Sequence, residues 1–287
     1  MKAKRPKKKY YEMALRGELR REAGAVLSEA DFKAGADSYE WNMKEAGRIA
    51  EEMQRRLRNK LEQFLMRVGS VFSTYGSYKG SLRKADGGVR VGTQAGAIRA
   101  YAGVMLGGSG PYTEAIEVMA RQGVFWDQAF KGYSRATSNK FKEVVQRAYE
   151  GPNHLTLRDM KLKDGTVISG IRDEMVRTSG SLNYKLYNIS RTEVSSVSNA
   201  ALEYGYRSID PEGEGKYEWD IVEDARTSDV CEAIHAQVKR EGKGRGVTLD
   251  RLAQIVEGQS RRHMGPNWRI RRWVPHPQCR SAPEMVR

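Results

Sequence analysis

Apolar residues recur at spacings of three and four along one long stretch, WNMKEAGRIAEEMQRRLRNKLEQFLMRV, residues 41–68. An α-helix completes a turn in about 3.6 residues, so this spacing places them on one helical face. The face consists of Ile49, Met53, Leu57, Leu61, Phe64, Leu65 and Val68. We expect it to pack in a hydrophobic core, within a helical pattern that runs from about Tyr11 to Val71. Asp37 and Ser38 are candidate N-caps.

Residues 69–110 have a different composition, with dense glycine and weak periodicity. This predicts loops and short elements rather than one long helix. The clusters GSYKGS and GGSG do not fit the phosphate-binding pattern GxxxxGK[ST], so no nucleotide-binding loop is expected. The helical pattern resumes over residues 112–149, and Gly151–Pro152 ends it.

A further helix is predicted over residues 181–206, with a carboxylate on its apolar side. Glu193 shares a face with Ile189 and Val197. A buried carboxylate requires a partner, and we predict an ion pair with Arg226 from another segment. Such pairs are more often architectural than catalytic, although perturbed carboxylates also occur in active sites.

Strand and cap signals follow that helix. Tyr217, Trp219 and Ile221 alternate with acidic residues, which is typical of a half-buried strand. Thr227 or Ser228 then caps a short helix. The sequence therefore predicts an α+β fold, in which a mostly helical N-terminal region precedes a small α+β C-terminal domain. We expect three regions: a basic arm and first helix (1–36), a helical region with the glycine-rich insert (37–180), and the C-terminal domain (181–287).

The chain is strongly basic, with 50 lysines and arginines against 36 acidic residues and a net charge of +14. Such an excess favours a polyanionic partner. Candidate phosphate contacts lie in the N-terminal arm and in residues 261–280, where arginines alternate with two tryptophans. They are Lys7, Lys8, Lys9, Arg261, Arg262, Arg269, Arg271 and Arg272. The alternative is that the tryptophans form core and the arginines a solvated rim.

The sequence has neither an apolar run of about 18 residues nor the apolar stretch of a secretory signal. We therefore expect a cytoplasmic protein without a membrane span. Its two cysteines exclude a disulfide-rich scaffold.

Each cysteine has a histidine close to it in sequence: Cys231 with His235, and His276 with Cys279. Two thiolates and two imidazoles suit a tetrahedral structural zinc ion. Three other interpretations stay open at this point. They are packed thiols with incidental histidines, a disulfide formed outside the cell, and a catalytic Cys–His pair.

Four motifs, carried by three stretches in the C-terminal part of the chain, appear in a recognisable order. ISRTEVSSVSNAALEYGY (189–206) precedes YEWDIVEDARTSDVCEAIH (217–235), and VPHPQCR (274–280) follows. This order resembles the Mu F-like minor head morphogenesis proteins of tailed bacteriophages, over about 100 residues. The matching positions are Arg191, Thr192, Glu193, Asn199, Trp219, Asp224, Arg226, Thr227, Ser228, Cys231, His276, Pro277, Cys279 and Arg280. Where the family pattern ends C-R-C, this chain has Ser281, and His235 is the candidate replacement ligand.

The resemblance implies a minor capsid protein that acts in procapsid assembly and in DNA packaging or ejection. Its expected partners are the portal protein and the major capsid or scaffolding protein, with non-specific contact to double-stranded DNA. It would be found in the host cytoplasm during assembly and afterwards in the virion. Two alternatives stay open: a toxin- or transferase-type enzyme with an active loop within residues 76–92, and a non-specific DNA-binding protein. The structural interpretation predicts no enzymatic activity.

Overall fold

The computed structural model describes residues 6–86, 124–150, 158–161, 163–165, 167–168, 170–222, 224–265 and 273–286. The helices within these residues are α1 (Lys8–Ser28), α2 (Tyr39–Asp86), α3 (Val124–Glu150), α4 (Ile171–Ser181), α5 (Asn183–Ile209), α6 (Asp229–Glu241) and α7 (Leu249–Met264), with a 3-10 turn at Ala36–Ser38. The strands are β1 (Met160–Lys161), β2 (Val167–Ile168), β3 (Tyr217–Asp220) and β4 (Ala282–Met285). The predicted fold class is confirmed: the described chain is mostly helical and has a small antiparallel sheet near its C-terminus.

The long apolar face of α2 is buried, as its spacing predicts. All seven of its residues from Ile49 to Val68 are at most 6% exposed. Burial of such a face, rather than helix propensity, provides most of the stability of a helix in a globular protein. Among the described helices, none combines the length and the apolar character that crossing a bilayer requires.

The prediction of loops after residue 69 is wrong for its first part, because α2 continues to Asp86. The cause is a close approach between α2 and α5. A Cβ atom on Gly205 would lie 2.3 Å from the carbonyl oxygen of Ser73, and one on Gly76 would lie 3.0 Å from that of Leu202. These glycines therefore allow two helices to pack closely. Residues 87–110, the rest of the predicted insert, lie outside the described residues.

The chain forms two compact units that cut across the three predicted regions. The first unit contains residues 1–12, 64–122 and 191–287, and the second contains residues 13–63 and 123–190. Each unit is therefore built from segments that are far apart in sequence.

The second unit is a helical assembly with a polar connection at one end. Tyr133 on α3 donates its hydroxyl to the Met53 sulfur at 3.7 Å, and both side chains are buried. Asn42 donates to the carbonyl oxygen of Lys33 at 2.8 Å and to the Tyr149 hydroxyl at 2.9 Å. These contacts attach α3 to α2 and fix the turn before α2.

The first unit contains the β3–β4 sheet. Tyr217 pairs with Met285 and Asp220 with Ala282 in antiparallel register. Tyr217 and Trp219 are fully buried whereas Asp220 is exposed, which confirms the predicted alternation over these residues. Ile221, the third apolar residue of that pattern, follows the end of β3 and is half-buried. Trp273 stacks on Trp219 with ring centroids 6.3 Å apart. The sheet thereby positions the segment that follows Trp273.

Candidate metal centre

The N-terminus of α6 places one thiol of the site. The Ser228 hydroxyl accepts a hydrogen bond from the Cys231 backbone N–H at 3.3 Å. Ser228 is therefore the N-cap, which confirms one of the two predicted candidates, Thr227 and Ser228. Cys231 then lies in the first turn, on the buried face that also carries Ile234 and Val238. Its sulfur therefore points into the unit, close to a helix N-terminus, which favours a thiolate.

The other two ligand candidates lie on a tightly held segment, residues 273–281. Trp273 and Gln278 both have left-handed backbone conformations, with φ of 64° and 59°. Such conformations are costly for residues other than glycine and persist only where the surroundings impose them. Between them, the His276 ring has its Nδ1 atom 2.8 Å from the carbonyl oxygen of Pro277. A carbonyl only accepts, so Nδ1 donates to it. Nε2 faces the Cys231 sulfur and the Ser228 hydroxyl, and it is the atom available to a metal once it carries no proton.

Side chains from three helices hold this segment. Asn199 on α5 donates to the carbonyl oxygens of Trp273 at 2.8 Å and Ser281 at 3.0 Å. Ser260 on α7 donates to the carbonyl oxygen of Pro275 at 2.7 Å. Lys8 on α1 donates to the carbonyl oxygen of Ser281 at 2.9 Å. The backbone of the segment is thus fixed at several points.

Three ligand atoms meet as a result. The Cys231 sulfur lies 3.2 Å from His276 Nε2 and 3.6 Å from the Cys279 sulfur. All three atoms lie within 4.8 Å of one another, which is close enough to hold one metal ion. Both cysteines are buried and neither forms a disulfide.

The two thiols differ in protonation. A hydrogen bond from Cys279 lowers the pKa of Cys231 to about 3, with help from His276 and Ser281 and against the opposing effect of burial. Burial raises the pKa of Cys279 well above its usual value, and the neighbouring Cys231 raises it further. At neutral pH Cys231 is therefore a thiolate that accepts a hydrogen bond from the Cys279 thiol. Metal binding would have to displace the Cys279 proton.

An ion pair joins the two segments that carry the cysteines. Arg280 donates to Asp224 through both of its terminal nitrogens, one at 2.7 Å. This bidentate contact holds the pKa of Asp224 well below its usual range. Asp224 also accepts from the Arg226 backbone N–H at 2.9 Å, which shapes the loop leading to Ser228. The pair therefore positions both thiols at once.

A small pocket opens beside the ligand group. Its walls include Cys231, His276, Ser228 and Ser281, and its water-accessible volume is about 20 Å³. The Ser281 hydroxyl donates to the Cys231 sulfur at 3.2 Å, and this residue is 3% exposed. Ser281 thus lies next to the three ligand candidates. It stands where the C-R-C ending of the family pattern that this chain resembles has its last cysteine.

No family model, curated protein or solved structure matches this chain.

The structure corrects the prediction for His235. Its Nδ1 atom lies 2.9 Å from the carbonyl oxygen of Trp219 on β3, and the group of three does not include it. His235 lies four residues after Cys231, which moves it about 6 Å along the helix axis. The ring therefore contacts the sheet instead of the ligand group.

The predicted ion pair between Glu193 and Arg226 is also wrong. Glu193 is 1% exposed, as expected for a carboxylate on the apolar side of α5. Arg226, however, has a side chain that is 77% exposed and contacts Asp224 at 3.5 Å. An arginine held at the surface by a neighbour two residues away cannot reach a buried carboxylate.

The candidate phosphate contacts divide into three groups. Lys8 was assigned wrongly, because it is buried and bonded to Ser195, Asn199 and Ser281 at 3.2, 2.8 and 2.9 Å. Lys7, Lys9, Arg261 and Arg262 are exposed, the two arginines in the last turn of α7. Arg269, Arg271 and Arg272 lie outside the described residues. Sequence reasoning missed Lys8 because nothing in a run of lysines distinguishes the one that is buried.

Proposed function

We propose that the chain is a minor structural protein of a tailed-phage head, and that one zinc ion stabilises its first unit. The observation that supports this most is the convergence of the motifs that carry the resemblance. The RTE helix contacts the HPxCR segment through Thr192, whose hydroxyl accepts from the Gln278 N–H at 3.2 Å. The segment from Asp224 to Cys231 contacts it through Arg280 and Cys279. A chance match of short motifs has no reason to bring its members together.

Zinc suits the ligand group chemically. Thiolates and imidazole are its preferred protein ligands, whereas calcium and magnesium prefer oxygen. Zinc bonds of about 2.0–2.3 Å at tetrahedral angles separate neighbouring ligand atoms by roughly 3.5–3.8 Å. The separations of 3.2 and 3.6 Å from the Cys231 sulfur to His276 Nε2 and to the Cys279 sulfur require only small shifts to fit.

Native mass spectrometry with a free-thiol count tests the zinc site. We expect one zinc per chain in the wild type, and loss of zinc in Cys231→Ser and His276→Asn. His235→Asn is the matched control and should keep the metal. Because the pKa of Cys279 is raised, zinc affinity should increase with pH as that thiol loses its proton. Two free thiols without metal, at every pH, would contradict the site; absence of free thiols without metal would indicate a disulfide.

The role in the head can be tested on particles of the phage or prophage that encodes the chain. We expect mass spectrometry of purified procapsids to find a few copies per particle, and cross-linking to join them to the portal protein or to the capsid or scaffolding protein. Deletion of the gene should reduce packaged or infectious heads. A chain that stays in the lysate while heads form normally would contradict the proposal.

Contact with double-stranded DNA is a further part of the proposal, supported by the net charge of +14 and by exposed Lys7, Lys9, Arg261 and Arg262. Binding should not depend on sequence and should weaken steeply with salt. Gel-shift titrations at several salt concentrations measure that slope. Tight DNA binding in the absence of any affinity for head proteins would favour the alternative of a free DNA-binding protein.

A further inference from the structure

We propose that the zinc-binding group keeps one coordination position open towards the adjacent pocket, and that this position binds a water molecule or a small anion. The inference rests on the proposed zinc site. Within the described part of the chain, Cys231, His276 and Cys279 have no fourth Cys, His, Asp or Glu beside them. Structural zinc sites have four protein ligands, whereas sites with three take an exogenous ligand in the fourth position.

The pocket has the size and the location for that ligand. Its walls include Cys231 and His276, so it reaches the ligand atoms themselves. Its water-accessible volume of about 20 Å³ suits one water molecule, which requires roughly 10–15 Å³. A site of this size admits water, hydroxide or an ion of a few atoms next to the ligand group.

The charges around the pocket favour an anion. Arg226 and Arg280 form part of its wall, and Thr227 and Ser228 bring the N-terminus of α6 to it. A helix N-terminus has a partial positive charge and attracts anions. Asp224 offsets one of the two guanidinium charges, and the remaining positive charge together with the helix terminus favours a metal-bound anion over neutral water.

Ser281 is the residue that leaves the position open. Its hydroxyl donates to the Cys231 sulfur at 3.2 Å, so it acts as a hydrogen-bond partner of a ligand. A neutral hydroxyl is a poor zinc ligand compared with a thiolate. A thiol at the same place, 3% exposed and next to the group, would complete a site of three sulfurs and one nitrogen. Ser281→Cys should therefore close the position.

Cobalt(II) in place of zinc makes the coordination visible, because its absorption reports the number of sulfur ligands and the identity of the fourth ligand. We would load full-length wild type, Ser281→Cys and Ser281→Ala with cobalt and titrate each with azide and with thiocyanate. Ser208→Cys is the control for an added thiol, because Ser208 is exposed and does not line the pocket. We expect saturable spectral shifts in the wild type, Ser281→Ala and Ser208→Cys. Ser281→Cys should show stronger sulfur-to-cobalt charge transfer and no response to either anion.

The outcomes separate the two proposals. A wild type that binds cobalt but does not respond to either anion would overturn the open position and leave the metal site intact. The same applies if Ser281→Cys responds as the wild type does, with unchanged charge transfer. A wild type that binds neither cobalt nor zinc would overturn the metal site and this inference with it.

Discussion

Lys8→Met is expected to destabilise the first unit by about 2–4 kcal/mol. Lys8 is 8% exposed, and its ammonium donates to Asn199 Oδ1 at 2.8 Å, the Ser281 carbonyl at 2.9 Å and the Ser195 hydroxyl at 3.2 Å. Hydrogen bonds from a charged group contribute about 1.5–3 kcal/mol each, and a buried acceptor left without a donor costs about 1–3 kcal/mol. Methionine preserves the apolar stem and avoids burying a charge, which offsets part of the loss.

The matched control is Lys9→Met, which removes one exposed lysine from the same turn of α1. Thermal unfolding followed by circular dichroism compares the two variants at equal pH and salt. For a protein of this size, about 3 kcal/mol corresponds to a Tm decrease of roughly 6–12 °C. Lys9→Met should unfold within about 2 °C of the wild type, since surface substitutions change stability little. Equal Tm values for Lys8→Met and Lys9→Met would refute the structural role given to Lys8.

Two other predictions concern the packing and the ion pair of the first unit. Gly205→Ala should destabilise it by about 1–3 kcal/mol, because the new Cβ would lie 2.3 Å from the Ser73 carbonyl oxygen. Gly132→Ala, where a Cβ meets no atom within 4 Å, is the control, and urea midpoints compare the two. Asp224→Asn should lower the Tm at pH 7. Arg280 depresses the pKa of Asp224 in the folded state. The ion pair therefore stabilises the fold fully above about pH 4, the pKa of an aspartate in the unfolded chain, and this stabilisation is lost as the pH falls further. The Tm gap between wild type and Asp224→Asn should narrow at low pH; a constant gap would contradict the ion pair's role.

Local periodicity carried enough information to predict several elements of the fold. The spacing from Ile49 to Val68 predicts the buried face of α2, and the alternation at Tyr217 and Trp219 predicts β3. The cap at Ser228 follows from the residue types that accept hydrogen bonds from a helix N-terminus. Each of these signals depends on neighbours within a few residues, which a sequence displays directly.

Pairings between distant segments could not be predicted in the same way. A dense run of glycines reads as loop, yet Gly76 lies in α2 because it packs against Gly205 on α5. The fourth member of the Cys/His set was predicted from its spacing, and the structure puts Ser281 beside the ligands instead of His235. Both outcomes depend on contacts across dozens of residues, and tertiary packing overrides local composition in such cases.

The discontinuous first unit implies that the motif-bearing C-terminal part cannot fold alone. A fragment of residues 181–287 lacks Lys8, which donates to Ser281, and Gly76, which packs on α5. Without Lys8, buried acceptors lose their donor, and without the Gly76 segment of α2, α5 loses the helix that packs on it. Together these losses cost several kcal/mol, whereas the total stability of a typical protein is only about 5–15 kcal/mol. We expect the fragment to give poorly dispersed amide NMR signals even with zinc, whereas the full chain gives dispersed ones. A well-dispersed spectrum for the fragment with zinc would show that the metal alone organises this region, and that the contacts of Lys8 and Gly76 are dispensable.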